Sequence, residues 1–233
     1  MLAKGSHSWV FTASLFTIAM GFMYITSRLQ IFNVKSMLDV PLLGGNTFFL
    51  SLFSGWQIFL YSTFGFGLLT VFFVFFFRDP KRDSPLCKSC ILAPADGKIS
   101  DIRGRKVCIF MNINNVHVNR APFCGKVLSV KHFKGSYLPA FTKDSSRNER
   151  INILLQTSVG KIEVTQIAGF LVRRIVTYVE EGDEILQGEK IGMIRLGSRV
   201  DVTIPEGFDI CVSKGDKVYA GDTKIAKTPH HER

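Results

Sequence analysis

The stretch GDEILQGEKIGMIRLGSRVDVTI, residues 182–204, mixes turn signals with short β-rich runs: a Gly-Asp pair, an apolar residue, a second Gly, then Ile-, Met- and Val-containing segments. Gly and Asp punctuate the chain, and the runs between them have strand length and composition. The pattern returns further on. Gly182-Asp183, Ile185, Gly188 and Ile191 match Gly215-Asp216, Val218, Gly221 and Ile225, with one extra residue before the last apolar position. Paired hairpins of this kind build small barrel-sandwich hybrids such as lipoyl and biotinyl domains. A carrier domain would display a lysine at a tight hairpin tip. Lys214 and Lys217 flank a Gly-Asp turn but lack that setting, so the repeat reads as two similar hairpins.

Outward from this stretch the texture persists. KVCIFMNI, GKVLSVKHF, RINILLQTS, GKIEVTQIAG, RRIVTYV and RVDVTI alternate with Gly, Asp and Asn from residue 83 onward, while 138–150 reads as a polar loop. The expectation is a mainly β domain, a barrel/sandwich hybrid, over residues 83–233.

The first third reads differently. Residues 1–77 carry only Lys4, Arg28, Lys35 and Asp39 as full charges, so 26 of the 29 basic and 18 of the 19 acidic residues lie beyond them. Trp9–Ile25 and Phe59–Phe77 are uncharged apolar runs, at the short end of and near the roughly 20 residues that cross a bilayer as helix. A cleaved leader fits less well, because no small-x-small site comes after Ile25 and a second run is present. Residues 1–82 are therefore expected to form a membrane anchor, a transmembrane helical hairpin. The cluster Arg78-Asp79-Pro80-Lys81-Arg82 favours the cytoplasmic side of the cell membrane for residues 83–233.

The net charge is +10. The basic residues are scattered, without a stripe or a stacking motif, so a nucleic-acid partner is not expected; beside an anchor, anionic lipid is the better partner. Of five cysteines, Cys87 and Cys90 form a CxxC without a second pair. A zinc site needs four ligands, so no metal is expected, and the odd count suits reduced cysteines in a reducing compartment.

Four short segments could carry chemistry, and each has an ordinary reading alone. Ala93-Pro94-Ala95-Asp96-Gly97-Lys98-Ile99 contains a turn; Asn114-Asn115-Val116-His117-Val118-Asn119-Arg120-Ala121-Pro122 places one histidine among β-residues; Ser146-Arg147-Asn148-Glu149-Arg150 is a charged loop; Gly197-Ser198 is a common turn pair. Together and in this order, with FFFRDPKR, IAG, RRIV and IGMIRLGSRVDV, they resemble the short, membrane-associated phosphatidylserine decarboxylases over roughly residues 74–227.

The resemblance implies a proenzyme. Ser198 would attack the Gly197 carbonyl, the chain would part between 197 and 198, and Ser198 would become a pyruvoyl group, the cofactor. The products would be a β chain of 1–197 and an α chain of 198–233 that remain together. His117 would serve as base, with Asp96 orienting its imidazole. The pyruvoyl carbonyl would form a Schiff base with the amine of an anionic aminophospholipid and act as electron sink for loss of CO₂. Arg120, Arg173 and Arg174 would hold phosphate or carboxylate. The sequence departs from the longer relatives, which carry two histidines three apart: His117 stands at the first position and Arg120 at the second, and Asn115 replaces a frequent Asp. Two other readings compete. A non-catalytic, membrane-anchored lipoyl-like adaptor leaves Ser198, His117 and Asp96 unexplained, and a serine hydrolase would need an intact chain.

Overall fold

The computed structural model describes residues 2–28, 55–135, 148–169, 175–195 and 198–229. It divides into two compact units, residues 2–77 and 78–233. The five residues 78–82, grouped by sequence with the anchor, lie with the strands.

The first unit contains helices α1 (His7–Arg28) and α2 (Gly55–Phe76). Within them His7–Thr26 and Gln57–Phe76 are long and apolar enough to cross a membrane, since 20 helical residues rise about 30 Å. The helices pack on each other through Phe16 stacked on Phe66 at 5.1 Å and Trp9 edge-on to Phe73 at 5.7 Å. Thr17 and Thr70 hydroxyls meet between the helices at 3.3 Å. Phe11, Ile18, Phe22, Phe64, Leu68 and Val71 are exposed, an outward apolar surface that suits lipid better than water.

The second unit is mainly β. In chain order its strands are β1 (Cys90–Leu92), β2 (Gly97–Arg103), β3 (Lys106–Met111), β4 (Val118–Arg120), β5 (Gly125–Phe133), β6 (Arg150–Thr157), β7 (Gly160–Ile167), β8 (Ile175–Thr177), β9 (Glu184–Ile185), β10 (Lys190–Ile194), β11 (Ser198–Thr203), β12 (Asp209–Ile210), β13 (Lys217–Val218) and β14 (Lys224–Lys227). One long sheet runs β13-β2-β3-β11-β7-β6-β5-β9 and curls into a half-barrel; β4-β10-β8 and β1-β14-β12 form two smaller sheets. Successive side chains on a strand face opposite ways. Ile151, Ile153 and Leu155 on β6, Ile162 and Val164 on β7, Val107, Ile109 and Met111 on β3, and Val200 and Val202 on β11 are accordingly buried in one core. The polar stretch expected as a loop at 138–150 lies mostly outside the described residues.

The two Gly-Asp hairpins are fastened in the same way. Gly182 and Asp183 exchange backbone hydrogen bonds with Val127, and Gly215 and Asp216 exchange the equivalent pair with Ile99. The Gly188 amide donates to the Ala121 carbonyl, and the Gly221 amide to the Ala93 carbonyl. The receiving segments also match, as Ala93-Pro94-Ala95-Asp96-Gly97-Lys98 and Ala121-Pro122-Phe123-Cys124-Gly125-Lys126. The domain is thus an internal pair, with Asp96 in one half where Cys124 stands in the other.

Cys87 and Cys90, read from sequence as reduced, are instead joined as a disulfide; their Cα atoms lie 5.4 Å apart, within the reach of such a bond. No group of three His, Cys, Asp or Glu side chains able to hold a metal is found among the described residues.

Candidate active site

Ser198 opens β11, paired with Met111 on β3. It lies on the same face as Val200 and Val202, so its side chain turns into the core and is fully buried. The hydroxyl donates to Met111 Sδ at 3.4 Å, and Asn119 Nδ2 approaches the same sulfur at 3.6 Å. Gln166 on β7 then donates to Asn119 Oδ1 at 2.7 Å. The result is a buried polar line of Ser198, Asn119 and Gln166 around a methionine. The opposite face of β11 carries Arg199 and Asp201, a buried ion pair at 2.8 Å.

His117 precedes β4 and is also buried. Its carbonyl accepts from the Ile194 amide at 3.2 Å, at the end of β10 and four residues before Ser198. The pairing of Met193 with Val118 sets that register. The Nδ1 atom lies 2.9 Å from the Asn115 carbonyl. A carbonyl can only accept, so Nδ1 carries the hydrogen and Nε2 carries the lone pair. Burial pushes the His117 pKa down to about 4; the Asn115 carbonyl and the Asp96 charge oppose this, and the Arg78 charge adds to it. The imidazole is therefore neutral at neutral pH, the form a base requires. Asn115 closes the preceding turn, its Oδ1 accepting the Asn112 amide at 2.8 Å.

Asp96 is buried immediately before β2, but its carboxylate is bonded elsewhere than expected. Arg82 grips both oxygens, at 2.5 and 2.7 Å, and the Ala220 amide donates to Oδ1 at 2.8 Å. His117 Nδ1 meets the Asn115 carbonyl. Arg120 is also turned inward. It donates to the carbonyls of Gly188 at 2.8 Å and Pro80 at 3.2 Å and lies 3.6 Å from Asp79; burial lowers its pKa. Gly197, Arg173 and Arg174 lie outside the described residues. His132 is exposed and paired with Glu149 at 2.8 Å. Sequence reasoning assigned no role to Arg82, Met111 or Gln166: the first reads as a topology signal, the others as ordinary strand residues.

A buried serine thus opens β11, and a buried, neutral histidine is tied through its carbonyl to Ile194, four residues earlier in the chain. The sequence profile of the phosphatidylserine decarboxylases matches residues 69–226. The chain belongs to the phosphatidylserine decarboxylase family. It is 49% identical over 227 residues, 97% of this chain and 96% of the relative, to a Methanococcoides burtonii protein named "Putative archaetidylserine decarboxylase proenzyme". A phosphatidylserine decarboxylase proenzyme of Streptomyces griseus is 48% identical over 157 residues, 65% of this chain and 72% of the relative. That of Thermobifida fusca is 40% identical over 229 residues, 96% and 91% of the two chains. As a member of this family the chain is a decarboxylase of phospholipid synthesis, made as a proenzyme. The adaptor and hydrolase alternatives fall away. The family is pyruvoyl-dependent.

Proposed function

We propose that the chain severs itself between Gly197 and Ser198 and then decarboxylates the serine headgroup of an anionic aminophospholipid. The observation that carries this reading is the register joining His117 to β10, together with the inward burial of Ser198 four residues beyond the Ile194 contact.

In the first step the Ser198 hydroxyl adds to the Gly197 carbonyl while His117 Nε2 accepts its proton. The C–N bond breaks, the Ser198 nitrogen leaves as an amine, and an ester links the two parts. Removal of the Ser198 α-proton expels the Gly197 carboxylate and leaves dehydroalanine. Water then releases ammonia, and a pyruvoyl cap remains at position 198. The buried surroundings exclude bulk water until that last step and keep His117 neutral. Once formed, the pyruvoyl carbonyl supplies an electron sink that no ordinary side chain offers. His117 Nε2, once it has taken up a proton from water, is the candidate to deliver it to the substrate α-carbon. Arg173 and Arg174 are the candidates to hold the headgroup phosphate or carboxylate, because Arg120 bonds to Gly188, Pro80 and Asp79.

The product carries an ethanolamine headgroup, on a diacyl or an archaeal ether lipid, since the chemistry touches only the headgroup. The apolar helices anchor the enzyme in the cell membrane, and the basic residues Arg78 and Lys81 just after the second one favour the cytoplasmic side for the β unit. The test is intact-mass analysis of the purified protein. Two chains are expected, the smaller being residues 198–233 with a blocked pyruvoyl terminus. Ser198→Ala should remain one chain of 26.1 kDa and be inactive on both lipids. An active preparation consisting only of whole chain refutes the reading.

A further inference from the structure

Residues 78–87 follow the first unit, which ends at Phe77, and are fastened along their length to the β unit. The Asp79 carboxylate meets Lys190 Nζ at 2.5 Å and Arg120 Nη2 at 3.6 Å. Ser84 fills the space over two glycines of the paired hairpins. A Cβ on Gly188 would lie 2.1 Å from Ser84 Cβ, and one on Gly221 would lie 2.5 Å from Ser84 Oγ. Both glycines have positive φ, 82° and 72°. The Cys87 amide donates to Gln187 Oε1 at 2.7 Å.

Two contacts of this strap reach the candidate site. Arg78 Nη2 donates to the Asn114 carbonyl at 2.6 Å, beside the residue whose own carbonyl holds His117. Arg82 forks onto both oxygens of Asp96. Its Nη1 also donates to the Ala220 carbonyl at 2.7 Å, while the Ala220 amide donates to Asp96 Oδ1 at 2.8 Å. Ala220 belongs to the segment that processing would release. It is thus gripped on both polar backbone atoms by an ion pair that belongs to the other chain. A planar guanidinium can serve a carboxylate and a carbonyl together, which an ammonium point charge does less well.

We infer that Arg82 is a positioning residue: it sets Asp96 in the site and, with Asp96, keeps the 198–233 chain docked after the Gly197–Ser198 bond is cut. This rests on the processing reading above. The strap therefore does more than lead from the membrane. It joins the candidate catalytic residues to the small chain.

The test uses the full-length, N-terminally tagged protein in detergent, as parent, Arg82→Ala, Arg82→Lys, Asp96→Asn and the double variant Arg82→Ala/Asp96→Asn. Two quantities are read: the rate at which whole chain is converted, and the fraction of 198–233 that stays with the tagged chain through washing. Arg82→Ala is expected to slow conversion roughly tenfold or more and to lose at least about half of the small chain, because a buried carboxylate is left without its counter-charge. Arg82→Lys should recover retention more fully than rate. On the Asp96→Asn background, Arg82→Ala should slow conversion by less than about twofold further, the non-additivity of residues acting together. Lys190→Ala loosens the strap at Asp79 without touching Asp96 and should convert within about twofold of the parent, a control for general loss of packing. The inference is overturned if Arg82→Ala converts at the parent rate and keeps its small chain, if the two losses multiply independently, or if Lys190→Ala matches Arg82→Ala. A parent chain that stays whole overturns the processing reading and the docking role; the positioning role is then decided by decarboxylation rates in the same variants.

Discussion

Self-processing should be insensitive to pH across a range where an ordinary histidine would switch it off. The perturbation is acidification from pH 8 to pH 5. His117 is buried, and its pKa stands at about 4 against an ordinary 6.5. At pH 5 such an imidazole is roughly 90% neutral, whereas one at its ordinary value is roughly 3% neutral. The two cases differ by about thirtyfold in available base. The charged groups acting on the ring are Arg78, which lowers its pKa, and Asp96, which raises it. The assay is pulse-labelled cell-free synthesis into detergent micelles, a jump to each pH, and timed gels for conversion of the whole chain. The rate should change less than about twofold between pH 8 and pH 5.5 and fall only as pH approaches 4. A rate that halves near pH 6.5 would refute the assignment of a buried, neutral His117 as base. The same shift has a stability consequence. Because the folded-state pKa is depressed, the contribution is complete above 6.5 and is lost as pH falls from 6.5 toward 4, about 3 kcal/mol in all.

Alkylation at pH 7.5 should label the exposed Cys124 and Cys211, and Cys87 and Cys90 only after reduction. Cys108 should stay unlabelled until the domain unfolds, since burial and the neighbouring Asp201 push its thiol up to about 12; peptide mass mapping reads all five. Arg199→Ala should cost about 3–5 kcal/mol in denaturant midpoint analysis, because the buried Asp201 loses its counter-charge; a loss below about 1 kcal/mol would mean that water reaches the pair. Gly221→Ala should lower stability by about 2–4 kcal/mol, from positive φ and the collision with Ser84. If calorimetry shows an unchanged Tm for that variant, the strap does not sit on the hairpin as described.

The alternation in RINILLQTS and GKIEVTQIAG reveals strands because a half-buried strand repeats every two residues, and Ile151, Ile153 and Leu155 do face one core. The apolar runs likewise announce two helices, since lipid imposes a minimum length. Ser198 and His117 were legible only as members of a familiar order of motifs. Periodicity can say that Met111 and Gln166 face inward, but not that β3, β4, β7 and β11 bring them around one hydroxyl. Arg82 was the least legible. A cation after an apolar run has the same local appearance whether it marks a membrane face or folds onto Asp96 fourteen residues later. Nor could the spacing of Cys87 and Cys90 distinguish a reduced pair from a joined one.

The paired hairpins of the β unit are separated by the proposed cut. Gly188 and its acceptor Ala121 would stay on one chain, whereas Gly221 and its acceptor Ala93 would end on two. Two amides with the same architectural role thus become an internal reference and a reporter. Their hydrogen-exchange rates, compared within one molecule before and after maturation, would isolate the price of severing a chain without dismantling its fold. The loss of protection at Gly221 relative to Gly188 would measure how much effective concentration the missing peptide bond had provided.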